Sequence, residues 1–177
     1  MTRPPDPDRR GRTLARASDY VLERGLAGLS LRPLAAALGT SPRMLLYDFE
    51  SKEQLIDEAL AEIRRRLAAM LGDARDLDLP AIWAWISAPE REPFLRLFFE
   101  VYVDALARPD AHAGGAAPLV RDWLDVLASR SDADPATTTL MVAVVRGLLL
   151  DRLSAADPER TDRAFSRFVE LLEGQPV

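Results

Sequence analysis

Residues Leu29 to Ile56 read LSLRPLAAALGTSPRMLLYDFESKEQLI, two short helical patterns separated by a glycine. Ser30 is placed to N-cap LRPLAAAL, where Pro33 falls in the first turn and is tolerated. Gly39 closes that segment, supplying the positive φ that a sharp turn requires. Ser41 then caps PRMLLYDF, with Pro42 at its first position. Ala35 is small where two helices must touch, and Leu34, Leu38 and Leu45 are expected to face inward and fix the interhelical angle. Ser41, Arg43 and Met44 are left near the N-terminal end of the second helix, the end that meets base edges in a helix-turn-helix. A helix-Gly-helix with an Ala also occurs in ordinary bundles, so this pattern alone leaves plain core packing open.

Working outward, residues 1–11 are rich in Pro, Arg and Asp, lack periodicity, and read as a flexible arm. A helix follows with Leu14, Ala17, Val21 and Leu22 on one face, and Gly25 is placed to end it in a left-handed cap. Downstream, Ser51 and Gln54 have the spacing of a capping box at the start of a long helix from about Lys52 to Met70. Its apolar line runs through Leu55, Ile56, Leu60, Ile63, Leu67 and Leu71. GDARDLDLP breaks the pattern and marks a connection. LPAIWAWI and PFLRLFFEVYVDALA read as a short and a longer helix, RPDAHAGGAAP as a loop, and residues 117–130, 135–154 and 158–173 as three further helices. Nothing alternates with period two over a convincing length, so eight or nine helices and no sheet are expected.

Composition agrees with a globular chain: 48% hydrophobic and 29% charged residues. The longest apolar segment, Leu140–Leu150, is interrupted by Arg146 and is half the length a bilayer span needs. With no cysteine there is no disulfide, thiolate metal site or thiol nucleophile. No secretory h-region is visible, and a cytoplasmic location is expected. The net charge of −5 divides unevenly. Residues 1–52 hold nine Arg/Lys against six Asp/Glu, and residues 53–177 hold fourteen against twenty-two. The basic surplus permits nucleic-acid binding at the N-terminal end and discourages it elsewhere.

The string Leu29–Ile56 closely resembles the N-terminal signature of TetR-family regulators. The matching elements are Gly39, the run Leu45-Leu46-Tyr47-Asp48-Phe49 and the helix start Ser51-Lys52-Glu53, within a resemblance of about 45 residues from Arg12. It implies an all-α fold: a three-helix DNA-binding domain over 12–51, then a larger helical ligand-sensing and dimerisation domain over 52–177 with a four-helix dimer interface. It implies a DNA-binding set of Arg32, Thr40, Ser41, Arg43, Met44, Tyr47 and Lys52. Arg43 and Met44 fall at base-contacting positions, and Tyr47 and Lys52 at phosphate contacts. Lys52 is the single lysine of the chain and lies in a first helical turn, where backbone N–H groups also favour phosphate. Two departures stand out. Leu46 replaces a frequent aromatic and Asp48 a frequent His. Asp48 is expected to orient Arg43 or Arg12, or to point away from the groove.

The implied function is a ligand-responsive, sequence-specific transcriptional regulator, a repressor released from a palindromic duplex operator by a small-molecule effector, with no cofactor, metal or membrane partner. Effector binding would move the helix that begins at Lys52 and spoil the half-site spacing. Helix 135–154 is apolar almost all round and is expected to bury one face in the protomer and another against a twin. Phe165, Phe168, Val169 and Leu172 of the last helix offer a second interface surface. Trp83, Phe98, Tyr102 and Arg146 are the expected effector contacts, with Asp104 as a further polar anchor; core packing is the competing role for the aromatics. An enzyme would have to work with one histidine, His112, in a Gly/Ala-rich loop without triad or phosphate-binding loop. The remaining rivals are a dimeric helical scaffold or sensor that lacks DNA binding, and an activator in place of a repressor.

Overall fold

The computed structural model describes residues 7–72, 78–108, 133–155 and 157–174. Eight α-helices are seen: α1 (Pro7–Arg24), α2 (Leu31–Leu38), α3 (Pro42–Phe49), α4 (Lys52–Gly72), α5 (Leu79–Ile86), α6 (Glu92–Ala107), α7 (Pro135–Ala155) and α8 (Pro158–Glu173). A single 3-10 turn, Pro89–Arg91, leads into α6, and no strand occurs among the described residues. The expected loop around His112 and the helix expected over 117–130 lie outside the described residues. No helix among the described residues is long and apolar enough to cross a membrane.

The chain forms two compact units, 1–73 and 74–177. In the first, Ala17, Leu34, Ala35, Leu38, Leu45, Phe49 and Leu55 make one core, with Leu14, Tyr20 and Leu31 packed at its margin. Small residues bring α1 and α4 close: Ala17, Ser18 and Ala59 are fully buried. The Ser18 hydroxyl donates to the Leu14 carbonyl at 2.9 Å, and lies 3.4 Å from that of Ala59 on α4. α4 lies within the same compact unit as α1, α2 and α3. A polar clamp crosses the same helix pair, Arg66 donating to Asp19 at 2.6 Å and to Glu62 at 2.9 Å.

The sequence placed a flexible arm over residues 1–11, yet α1 begins at Pro7. The reason is tertiary: Arg9 and Arg10 are held by acceptors on α3 and α4 that no local periodicity reveals. Two cap expectations also need correction. Ser30 adopts the extended N-cap backbone, but its side chain caps nothing. Ser51 accepts from the Gln54 N–H at 3.0 Å, whereas the Gln54 side chain turns to Glu58 rather than closing the box.

In the second unit, Trp83 of α5 stacks on Phe165 of α8, the rings 4.6 Å apart and 8° from parallel. Ile86, Leu95, Val145 and Leu149 complete that core. Ile82, Met141 and Val142 form an adjoining cluster, against which Phe168 and Leu172 pack. Arg152 ties α7 to the first turn of α8 through the Pro158 carbonyl, the Thr161 hydroxyl and the Asp162 carboxylate, all within 3.0 Å. Of the four α8 residues expected to offer an interface surface, Phe165 is buried in this core, while Phe168, Val169 and Leu172 pack at its margin and stay half-buried.

Candidate nucleic-acid interface

The α2–α3 corner is set by backbone chemistry. Gly39 sits at φ 68° and ψ 34°, its N–H bonded to Ala36, and the Thr40 N–H reaches back to Ala35 at 2.9 Å. This paired closure reverses the chain within one residue and needs the left-handed conformation that glycine adopts freely. Ser41 then starts α3, its hydroxyl accepting from the Met44 N–H at 3.2 Å. Leu34, Ala35 and Leu38 are buried beneath α2 and Leu45 beneath α3, as the spacing predicted, and Phe49 joins Leu45 on the buried side.

With Leu45 and Phe49 turned inward, the opposite face of α3 is open. Ser41, Arg43, Met44, Leu46 and Tyr47 are exposed, Tyr47 to 49%. Arg32 is exposed near the start of α2; Thr40 and Lys52 are half-buried at the turn and at the start of α4. One cation, one flexible thioether and one phenol thus share a short helical face. Arginine there carries the planar fork that reads guanine O6 and N7. Lys52 adds a point charge at a helix N-terminus, where free N–H groups already favour an anion.

Asp48 does not act on this face. Its side chain is only 2% exposed, and its carboxylate accepts from Arg9 of α1, not from Arg43 or Arg12. Arg10 beside it donates from Nε to the Asp48 carbonyl at 2.9 Å and from Nη2 to both Glu58 oxygens at 2.7 and 2.8 Å. The guanidinium lies 4.7 Å from the centre of the Phe49 ring. Sequence reasoning missed Arg9 and Arg10; the cue was the close run Arg9, Arg10 and Arg12 together with an unexplained acid on α3.

In the second unit three of the four expected effector residues come together. Tyr102 stacks on Phe98 with centroids 6.0 Å apart, and the Arg146 guanidinium covers the Tyr102 ring at 5.2 Å. Trp83 stands apart. Its indole is buried, stacked on Phe165, and donates to Asp162 at 2.8 Å. Asp104, the further anchor considered, pairs with Arg108 of its own helix. On the outer side of α7, Ala143, Val144, Gly147, Leu148, Leu150 and Asp151 line an open groove.

A glycine-turned helix pair with a basic outer face, carried on two further helices, defines a helix-turn-helix DNA-binding domain. Residues 14–59 match the family model of bacterial regulatory proteins of the tetR family, and the N-terminal domain of this chain is a TetR-family domain. The likeness continues beyond it. The multidrug binding protein EbrR, solved as a complex with imidazole, is 29% identical, with 92% of this chain and 95% of that chain covered and a TM-score of 0.65. The Streptomyces coelicolor A3(2) protein SCO7518 is 28% identical over 90% of this chain and 96% of that one, with a TM-score of 0.64. A transcriptional regulator of Rhodococcus sp. Rha1, 24% identical with a TM-score of 0.69 and covering 95% of this chain and 98% of its own, shares the fold. No functionally curated protein is significantly similar in sequence. Residues 14–59 thus match the DNA-binding part of that family, and the described residues share the all-helical fold of these solved regulators.

Proposed function

We propose that this protein is a dimeric, ligand-responsive transcriptional repressor that reads a partly palindromic operator with α3 and leaves it when a small molecule binds the second unit. The observation that carries the DNA reading is the division of α3 into a buried Leu45/Phe49 face and an exposed Arg43/Met44/Tyr47 face. Arg32, Thr40, Ser41 and Lys52 complete the contact set, with Arg43 as base reader and Tyr47 and Lys52 on phosphates. Burial of Asp48 against Arg9 supports it further, since the one acid on α3 is withdrawn from the phosphates. Repression needs only occupancy of the operator, in the cytoplasm where the DNA lies.

Two short recognition helices must meet successive major grooves, which calls for a symmetric pair. The outer face of α7 supports one. Leu140 and Leu150 are 53% and 49% exposed, and between them Ala143 and Gly147 leave room for a second helix. A Cβ added at Gly147 would meet nothing within 4 Å. Leu171 on α8 is exposed as well and extends the apolar surface.

The effector site is assigned to Phe98, Tyr102 and Arg146: two stacked rings and a guanidinium suit a planar aromatic ligand with a polar substituent. EbrR is a multidrug binding protein seen in complex with imidazole and with proflavin, both planar aromatic molecules. The test is a titration of purified protein against a duplex selected from a random library. Two protomers per duplex and steep weakening with salt are expected. Failure to retain any duplex at low salt, from folded dimer, overturns the reading. An effector found by screening must bind less tightly in the presence of operator; equal affinity with and without DNA excludes the coupling.

A further inference from the structure

The recognition helix α3 is held at both ends from α1. At the end of α2, the bonds from Gly39 and Thr40 satisfy Ala36 and Ala35, which leaves the carbonyls of Ala37 and Leu38 without intrahelical donors. Arg16 of α1 supplies them. Its Nη1 donates to the Leu38 carbonyl at 2.7 Å and its Nη2 to that of Ala37 at 3.1 Å. A planar fork fits two adjacent carbonyls, and its charge faces the negative end of the α2 dipole.

At the far end, α3 stops abruptly. Glu50 has φ 62° and ψ −47°, and the Ser51 N–H bonds to the Phe49 carbonyl at 2.6 Å, the geometry of a γ-turn with positive φ. Such a conformation is strained at a non-glycine residue and persists only where its surroundings over-determine it. Arg10 spans this turn. It holds the Asp48 carbonyl on the last turn of α3, Glu58 on α4, and the face of the Phe49 ring between them.

We propose that Arg10 and Arg16 are positioning residues for DNA recognition: Arg16 fixes the turn that enters α3, and Arg10 fixes the strained turn that leaves it. The proposal rests on the regulator reading and deepens it. Both guanidinium groups are engaged with carbonyls; the charge of Arg10 is matched by Glu58, whereas Arg16 is exposed and keeps its charge, so the salt slope of its variants is the readout that separates positioning from a phosphate contact. Exposed Arg12, on the same helix, is the comparison residue.

The test uses the full chain with Arg10→Gln, Arg10→Lys, Arg16→Gln, Arg16→Lys and Arg12→Gln. In DNA-free protein, amide exchange over 46–51 is expected to speed up about tenfold or more in both Arg10 variants, and over 39–44 in both Arg16 variants, with α7 unchanged. On DNA, affinity for the selected duplex is expected to fall about tenfold while affinity for an unrelated duplex and the salt slope stay as in wild type. Lysine is expected not to rescue, because a single ammonium cannot reproduce the fork. Unchanged exchange overturns the proposal. So does a salt slope lowered by about one, with both duplexes weakened alike and lysine restoring binding, since that is a phosphate contact. Should the wild-type chain select no duplex, the regulator reading fails, and the exchange measurement still decides whether these arginines fix the ends of α3.

Discussion

The Arg9–Asp48 pair makes a sign-changing prediction. Asp48 is covered to 2% exposure, while Arg9 keeps about a third of its side chain in water, at 35%. Asp48→Ala takes one acceptor from Arg9, whose side chain already meets solvent. The loss is one charge-assisted hydrogen bond, about 1.5–3 kcal/mol when fully buried; with Arg9 partly wet, about 1 kcal/mol is expected. Arg9→Ala is worse, because it strands a covered carboxylate. Removing one partner of a buried pair costs about 3–5 kcal/mol. With Arg10 only at the Asp48 carbonyl, about 2–3 kcal/mol is the expected loss here. In the Arg9→Ala background, Asp48→Ala then removes the stranded charge and is expected to restore about 1 kcal/mol, reversing its own sign. Urea unfolding of the four proteins of the cycle, followed by far-UV circular dichroism, measures all three differences. If Asp48→Ala destabilises both backgrounds equally, the two side chains are uncoupled and the account of Asp48 is wrong. A uniform gain in affinity for every duplex on Asp48→Asn would equally show that the acid faces DNA.

Three further outcomes are expected. Gly147→Trp fills open space on α7, so the protomer should keep its far-UV spectrum while sedimentation shows monomers; an intact dimer would move the interface elsewhere. Glu62 is held below the ordinary glutamate range by hydrogen bonds from Arg65 first and Arg66 second. Its contribution to stability is therefore complete above that range and lost as pH falls through it. Glu62→Gln should cost a little near neutrality, of order 0.2–1 kcal/mol for such half-exposed pairs, and flatten the acid limb; an unchanged limb would contradict this. Arg43→Ala is expected to cost about 1–3 kcal/mol per half-site and to relax one base preference, read by competition between duplexes differing at single positions. Equal weakening on all of them would make Arg43 a phosphate contact.

What could be read from the chain, and what could not, divides by the range of the interaction responsible. Gly39, Ser41 and Pro42 specify a turn through local backbone chemistry, and the spacing of Leu34, Leu38, Leu45 and Phe49 specifies which faces are buried. The helix-turn-helix was accordingly legible, together with the exposure of Arg43, Met44 and Tyr47. The start of α1 was not, since Pro7–Arg12 lacks apolar period and is held through contacts thirty-eight to forty-eight residues away in sequence. Residues Phe165, Phe168, Val169 and Leu172 showed a clear apolar stripe. A stripe states that a face is buried without naming its cover, and here the cover is α5 and α7 of the same chain. The packing of Trp83 was not legible for the same reason, its partner Phe165 lying eighty-two residues downstream.

The central claim is that α3 reads base sequence through its exposed N-terminal half. Selection of bound sites from a random duplex library, with wild type and Arg43→Ala run side by side, tests it most directly. The account predicts that wild type enriches a partly palindromic site and that the variant loses preference at one symmetric pair of positions. Enrichment of the same site by both proteins would contradict the role of Arg43, and no enrichment by folded, dimeric wild type would contradict sequence-specific DNA binding itself.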